Sequence, residues 1–168
     1  MTPSRTCAWG SKSWVRHAVA GGLIVGGTVA AALVGAKASG SGRWYRRLKK
    51  PRGTPPAKVF GPVWTFLYAS MAYSAWRVFR AEDSRARQRA LGFWTAQLAL
   101  NAAWSPLFFG AHRLRAALAV STALVPAIGA YAAEARKVDG LAAGLMLPYL
   151  GWSGYATYLN AGLVMKNR

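Results

Sequence analysis

Acidic residues are scarce: the 168 residues hold four Asp and Glu against 22 Lys and Arg, a net charge of +18. All four acids, Glu82, Asp83, Glu134 and Asp139, lie between apolar runs and none lies inside one. A proton-coupled transporter ordinarily carries an ionisable group within a span, so that mechanism lacks its central residue here. The single cysteine, Cys7, excludes an intramolecular disulfide and a cysteine metal cluster. The two histidines, His17 and His112, have no Cys, Asp or Glu at ligand spacing, so no metal site is expected. A P-loop, a Gly-x-Ser-x-Gly elbow and a Cys-x-x-Cys-His haem attachment are also missing.

What the chain has is apolar length. Hydrophobic residues make up 54%, and five runs carry no charge: 18–36, 59–76, 90–111, 116–133 and 140–165. Each reaches about 18 residues or more, the length read as a membrane span. At about 1.5 Å per residue the third run extends roughly 33 Å, enough to cross a hydrocarbon core of about 30 Å. Buried helices of a water-soluble domain would show polar faces at helical spacing, and these runs hardly do. The expectation is an all-α fold, an integral membrane bundle of five transmembrane helices. It forms one domain over 17–168 behind a flexible basic lead, 1–16. Because the Lys and Arg are spread between the runs, no compact basic domain remains to grip nucleic acid. Membrane lipid with anionic headgroups is the partner this charge predicts.

The lead carries Trp9 and Trp14 among its basic residues, suited to a membrane interface. The run 18–36 followed by Ala36-Lys37-Ala38 has the parts of a cleaved signal peptide. Its apolar core exceeds the usual length of about 7–15 residues, which favours a retained span. Gly22 and Gly26, four apart, allow close helix contact. The loop 37–58 is the longest and most basic, and Pro51, Pro55 and Pro56 stop a helix from running through it. Trp44-Tyr45 and Pro55-Pro56 lie near enough to the second span to fold over its end as a lid. Pro62 suits the first turn of the second helix, 77–89 reads as a solvated basic loop, and Pro126 reads as a kink. Trp76 and Trp94, near span ends, read as interface anchors. Twelve of the 22 Lys and Arg fall on the side of loop 37–58 and the carboxyl terminus, which slightly favours placing that side in the cytoplasm.

Three stripes carry the chemistry. Gln97 and Asn101 are four apart and share a helical face with Trp94, Trp104 or Ser105, and Phe108. Trp64 and Tyr68 are stacked at i and i+4, and Tyr149 and Trp152 share a face with Ala156. Amides inside an apolar span need partners, so these faces should look into protein or a cavity. Two readings stay open on composition. Interface aromatics and helix-to-helix amide bonds form one. The other is the wall of a mostly apolar pocket with a few orienting polar groups, sized for a flat ligand.

The words themselves bear on that choice. Trp44-Tyr45-x-x-Leu48-x-Lys50-Pro51, Pro55-Pro56, Val59-Phe60-Gly61-Pro62-Val63-Trp64-Thr65-x-Leu67-Tyr68, Gln97-Leu98-x-Leu100-Asn101-x-x-Trp104-x-x-x-Phe108-Phe109 and Pro148-Tyr149-Leu150-x-Trp152 stand in order. They resemble the tryptophan-rich sensory protein family, which includes the mitochondrial translocator proteins, or peripheral-type benzodiazepine receptors. The resemblance runs from about Arg43 to Asn160. It implies a five-helix bundle, often a homodimer, that binds porphyrins such as protoporphyrin IX as ligand and needs no cofactor. In animal members it also implies cholesterol and benzodiazepine-type ligands. By motif, Trp64, Asn101 and Trp152 would line the pocket, with Tyr68, Gln97, Trp104, Phe108 and Tyr149 beside them. Trp44, Pro55 and Pro56 would belong to the lid.

The carboxyl-terminal sterol pattern of the animal members is broken here. Tyr158 stands eight residues before Lys166, and the pattern allows at most five between them. Val125, Tyr131 and Arg136 meet its letter in the fourth span. The function expected is a membrane receptor or carrier for tetrapyrroles. Two alternatives use the same site: light- and oxygen-dependent porphyrin degradation with Trp64 and Trp152 as radical relays, and a regulatory scaffold whose ligand changes its partners. The Gly-, Ala- and Arg-rich composition points to a bacterial cell membrane.

Overall fold

The computed structural model describes Val19, 21–33 and 42–167. The basic lead, Cys7, His17 and the signal-cleavage reading at Ala36-Lys37-Ala38 lie outside the described residues. The elements are α1 (Gly21–Leu33), α2 (Gly42–Arg47), α3 (Ala57–Arg80), α4 (Arg85–Ser105), a π-helical turn (Pro106–Gly110), α5 (Leu114–Arg136), α6 (Gly140–Gly144) and α7 (Leu147–Lys166). No strand occurs among the described residues.

Helix boundaries follow caps and prolines more than charge. Pro56, extended at ψ 144°, starts α3, so Pro62 lies inside the helix and not in its first turn. The backbone carbonyl it leaves without an i+4 donor is that of Lys58, an exposed residue, where the loss is small. The expected solvated loop 77–89 shrinks to 81–84, because Ser84 caps α4 by accepting the Arg87 N–H at 3.1 Å. Arg87 reaches back to the Phe79 carbonyl at 3.1 Å and pairs with Asp83 at 3.0 Å. The third run therefore begins as a helix at Arg85, five residues before its charge-free stretch.

At the other end of α4, Pro106 has no N–H for the preceding turn, and the helix widens. Ala111 donates to the Pro106 carbonyl at 2.8 Å, five residues back. His112 then adopts φ +55°, and the Arg113 N–H closes on the Leu107 carbonyl at 2.9 Å. This is the left-handed helix stop usually made by glycine. A histidine there costs about 1 kcal/mol, offset by stacking on Trp44 at 4.1 Å.

Helix α5 runs unbroken through Pro126. The expected single span 140–165 is instead two helices. Asp139 caps α6 through the Ala142 N–H at 3.0 Å, and a turn at 145–146 precedes Pro148 in the first turn of α7. Pro148 has no N–H to donate to the Gly144 carbonyl and continue the α6 ladder, which explains the break.

By length and composition, one helix among the described residues, α5, is apolar enough to cross a membrane, and only 28% of its most apolar stretch is buried in the bundle. A core helix of a water-soluble protein would be mostly buried. Helices α3, α4 and α7 have the length, at 24, 21 and 20 residues. Arginines at the ends of α3 and α4, Lys166 at the end of α7, and Trp, Tyr, Ser, Asn and Gln among their residues lower their hydropathy. Their outer faces are nonetheless apolar: Phe66 is 59% exposed, Leu147 60% and Met165 62%. Such surface is a liability in water and ordinary against lipid.

The core joins α3, α4, α5 and α6 through Met71, Ala75, Val78, Ala90, Ile128, Tyr131, Ala135 and Ala142, all closed to solvent. Trp94 belongs to it. Only 6% exposed, its Nε1–H donates to the Met71 carbonyl at 3.2 Å, so it ties α4 to α3 and is no interface anchor. Ser74 donates to the Ala142 carbonyl at 2.7 Å and lies 2.6 Å from the Tyr131 hydroxyl, so both of these buried hydroxyls are paired.

Arg77 bridges to Asp139 at 2.8 Å. The Ala142 N–H, and after it Arg77, hold the Asp139 carboxyl below the ordinary aspartate range. A depressed carboxyl contributes stability above its unfolded value and loses it as pH falls through the folded one. Thermal unfolding should therefore show a loss on acidification below the ordinary aspartate range that Asp139→Asn removes. Asp139→Ala, which also deletes the cap, should cost about 1 kcal/mol at neutral pH.

Candidate functional site

The stripes on α3, α4 and α7 meet in one place. On α3, Trp64 and Tyr68 lie one turn apart with ring centroids 5.4 Å apart. The Tyr68 hydroxyl donates to Asn101 Oδ1 at 2.8 Å, and Asn101 Nδ2 donates to the Tyr149 hydroxyl at 2.9 Å. One amide thus links three helices, its acceptor spent on α3 and a donor on α7. Trp64 sets its edge against Tyr149 at 6.2 Å. Trp152, one turn along α7, meets Phe60 edge-on at 5.8 Å and Tyr155 at 6.0 Å. Phe60 and Tyr155 were not among the expected site residues. Their signal was present, since Phe60 stands four before Trp64 and Tyr155 three after Trp152, on the same faces.

Trp104 and Phe108 do not join this group. They stack on each other at 4.8 Å and form a second aromatic cluster at the end of α4. Trp44 meets Phe108 at 5.7 Å and stacks on His112, while Tyr45 meets Phe108 at 6.0 Å and Phe109 at 5.9 Å. The loop therefore contains a short helix, α2, seated on the π-helical turn. Pro55 is half-buried and Pro56 exposed; the pair serves as the lead-in to α3.

Gln97, one turn before Asn101, is fully buried, and neither its Nε2 nor its Oε1 has a hydrogen-bond partner among the described residues. The same holds for the Asn160 amide and for the indole N–H groups of Trp104 and Trp152. Unpaired buried donors and acceptors are costly, so each is a place where a bound polar group would be stabilising. Beside Trp152 an open groove of about 590 Å³ runs between α3 and α7, lined by Pro62, Val63, Phe66, Leu67, Pro148, Gly151 and Trp152. Its walls are carbon and aromatic face, and Trp152 is shared between the groove and the aromatic group. The arrangement can stack a flat apolar molecule and orient it through a few hydrogen bonds.

Charge divides the bundle by its ends. The four acids sit at the α3–α4 and α5–α6 turns, where three ion pairs form: Arg77–Asp139, Arg87–Asp83 and Lys137–Glu134. The opposite end, at α2 and the end of α7, holds Arg43, Arg46, Arg47, Lys49, Lys50, Arg113, Arg115 and Lys166, all exposed. No acid offsets them there among the described residues. Among the described residues, no group of three or more His, Cys, Asp or Glu is placed to hold a metal ion.

The sequence model of the TspO/MBR family matches residues 18–165. Over 120 residues the chain is 41% identical to the human translocator protein, covering 70% of this chain and 71% of that one. Over 117 residues it is 42% identical to the tryptophan-rich sensory protein of Cereibacter sphaeroides, covering 70% and 72%. The tryptophan-rich protein TspO of Archaeoglobus fulgidus is 39% identical over 131 residues, covering 74% and 80%. The match spans α1 through α7, and with an apolar outer surface around an aromatic, amide-bearing interior, the chain belongs to the TspO/MBR family of helical membrane proteins.

Proposed function

We propose that the protein is a membrane receptor or carrier for tetrapyrroles of the protoporphyrin IX type. The ligand would be held by the Trp64, Tyr68, Asn101, Tyr149 and Trp152 group. The observation that carries this reading is a buried amide ordered by two tyrosines, with Trp64 packed against both of them and Trp152 lining an apolar groove between the same two helices. A large flat ligand gains by stacking there. The exposed cations at the α2 end complement a ligand that carries carboxylates and would steer it toward that end. The same excess favours placing that end, with the carboxyl terminus, in the cytoplasm. The names of the relatives, sensory and translocator, fit a protein whose work begins with ligand capture. A homodimer in a bacterial cell membrane belongs to the same reading, on the family resemblance and the composition.

The test is tryptophan quenching in detergent or nanodiscs. Protoporphyrin IX should quench saturably, and cholesterol should not compete with it. The double variant Trp64→Ala/Asn101→Ala should bind at least tenfold more weakly. Unsaturable quenching, or unchanged affinity in the double variant, would sink the proposal.

A further inference from the structure

A second concavity lies away from the aromatic group, where the start of α5 meets the end of α7. It is an open groove of about 450 Å³, lined by His112, Arg113, Leu114, Arg115, Ala116 and Asn167. Asn167 caps α7 roughly 22 Å along the helix from Trp152, at a rise of about 1.5 Å per residue, so the groove is separate from the proposed porphyrin site. Helix α7 itself extends about 30 Å, the thickness of a hydrocarbon core. Its end, and the groove beside it, therefore lie at headgroup level.

Most of the lining is fixed by packing. Asn167 Nδ2 donates to the Leu163 carbonyl at 2.9 Å and to the Lys49 carbonyl at 3.1 Å, and its Oδ1 accepts the Lys49 N–H at 3.0 Å. Leu114 packs on the cluster around Phe108, and His112 stacks on Trp44 at 4.1 Å. The arginines are different. Arg113 and Arg115 are exposed, and neither belongs to any of the ion pairs among the described residues, which all lie at the other end of the bundle. Two guanidinium groups thus share one groove with no counter-charge, an arrangement that a phosphate stabilises through charge-assisted hydrogen bonds.

The surface beneath them says which phosphate. Ala119, Thr122 and Pro126 continue the Arg115 face along α5 at helical spacing, and all three are exposed. Small, mostly apolar side chains below a cationic groove suit an acyl chain below a headgroup. Inorganic phosphate would make no use of that face. Basic pockets between membrane helices are a recurring seat for anionic lipid headgroups.

We propose that this groove binds one anionic phospholipid, its phosphate held by Arg113 and Arg115 and an acyl chain laid along Ala119, Thr122 and Pro126. The site goes beyond the porphyrin reading and does not depend on it.

Native mass spectrometry of the full chain in detergent tests it, with phosphatidylglycerol and phosphatidylcholine of the same chain length as probes. One phosphatidylglycerol should bind per chain in preference to phosphatidylcholine. Arg113→Gln/Arg115→Gln should weaken it about tenfold or more, whereas Arg46→Gln/Arg47→Gln, which removes the same charge from exposed positions on α2, should change it less than about threefold. Phosphatidylglycerol should also raise the melting temperature of the native chain and leave that of the groove variant nearly unmoved. Inorganic phosphate at the same concentration should not displace it. Equal losses in the two double variants would overturn the site in favour of diffuse surface charge, and equal binding of the two lipids would reduce it to ordinary boundary lipid. Displacement by inorganic phosphate would overturn the lipid as occupant. Trp152→Ala should bind phosphatidylglycerol as the native chain does, so this proposal and the porphyrin reading fail separately.

Discussion

Asn101→Ala should lower the stability of the bundle by about 2–3 kcal/mol, more than its side-chain size would suggest. Two interhelical hydrogen bonds are lost, and in membrane bundles each contributes about 0.6 kcal/mol on average, because the unfolded chain in lipid also finds partners. The larger share comes from what remains. Tyr149 is fully buried and Tyr68 partly so, and a hydroxyl left without a partner away from water costs about 1–3 kcal/mol. Removing every member of the network should therefore hurt less than removing its centre. Asn101→Leu combined with Tyr68→Phe and Tyr149→Phe is expected to recover most of the loss. Reversible unfolding in mixed micelles, run as a mutant cycle over the three positions, measures this. Strictly additive costs would show that the amide does not couple the helices.

Phe108→Ala should cost about 3–5 kcal/mol, the range for deleting a buried phenylalanine. The ring is 2% exposed and lies against Trp44, Tyr45, Trp104 and Phe109. The loss should not be spread evenly. Helix α2 has only six residues, too few to hold itself, so its order depends on the surface that Phe108 presents. Amide exchange over 42–48 should approach that of an unfolded segment in Phe108→Ala, while Phe109→Ala, at a half-buried ring, should do far less. Retained protection in α2 would mean that other contacts seat it.

These two residues also show where reading by periodicity succeeds and where it stops. Gln97 and Asn101 were placed on one inward face by their spacing alone, and both are buried, because an α-helix keeps i and i+4 in line. The same rule carried Trp104 and Phe108 into the pocket, whereas the chain puts them in a second cluster beneath α2. What decides this is the partner Trp44-Tyr45, more than fifty residues earlier, together with the widening at Pro106. Neither is visible in the local spacing. Trp94 misled for a related reason: a tryptophan near a span end is common at interfaces, but its N–H here found the Met71 carbonyl across the α3–α4 contact. Charge-free runs located the long helices and misjudged their ends, since the ends are set by Ser84, Asp139, Pro56 and Pro148. The three-helix link through Asn101 was open only to the extent that a buried amide must have partners. Which tyrosines supply them is a property of packing.

On the proposed function the ligand is held by the Trp64, Asn101, Tyr149 and Trp152 group and not by the aromatic cluster beneath α2. The most direct measurement is the protoporphyrin IX quenching titration repeated on Trp152→Ala and on Trp104→Ala. Affinity should fall at least tenfold in Trp152→Ala and change less than threefold in Trp104→Ala. An unchanged affinity in Trp152→Ala with a large loss in Trp104→Ala would contradict it.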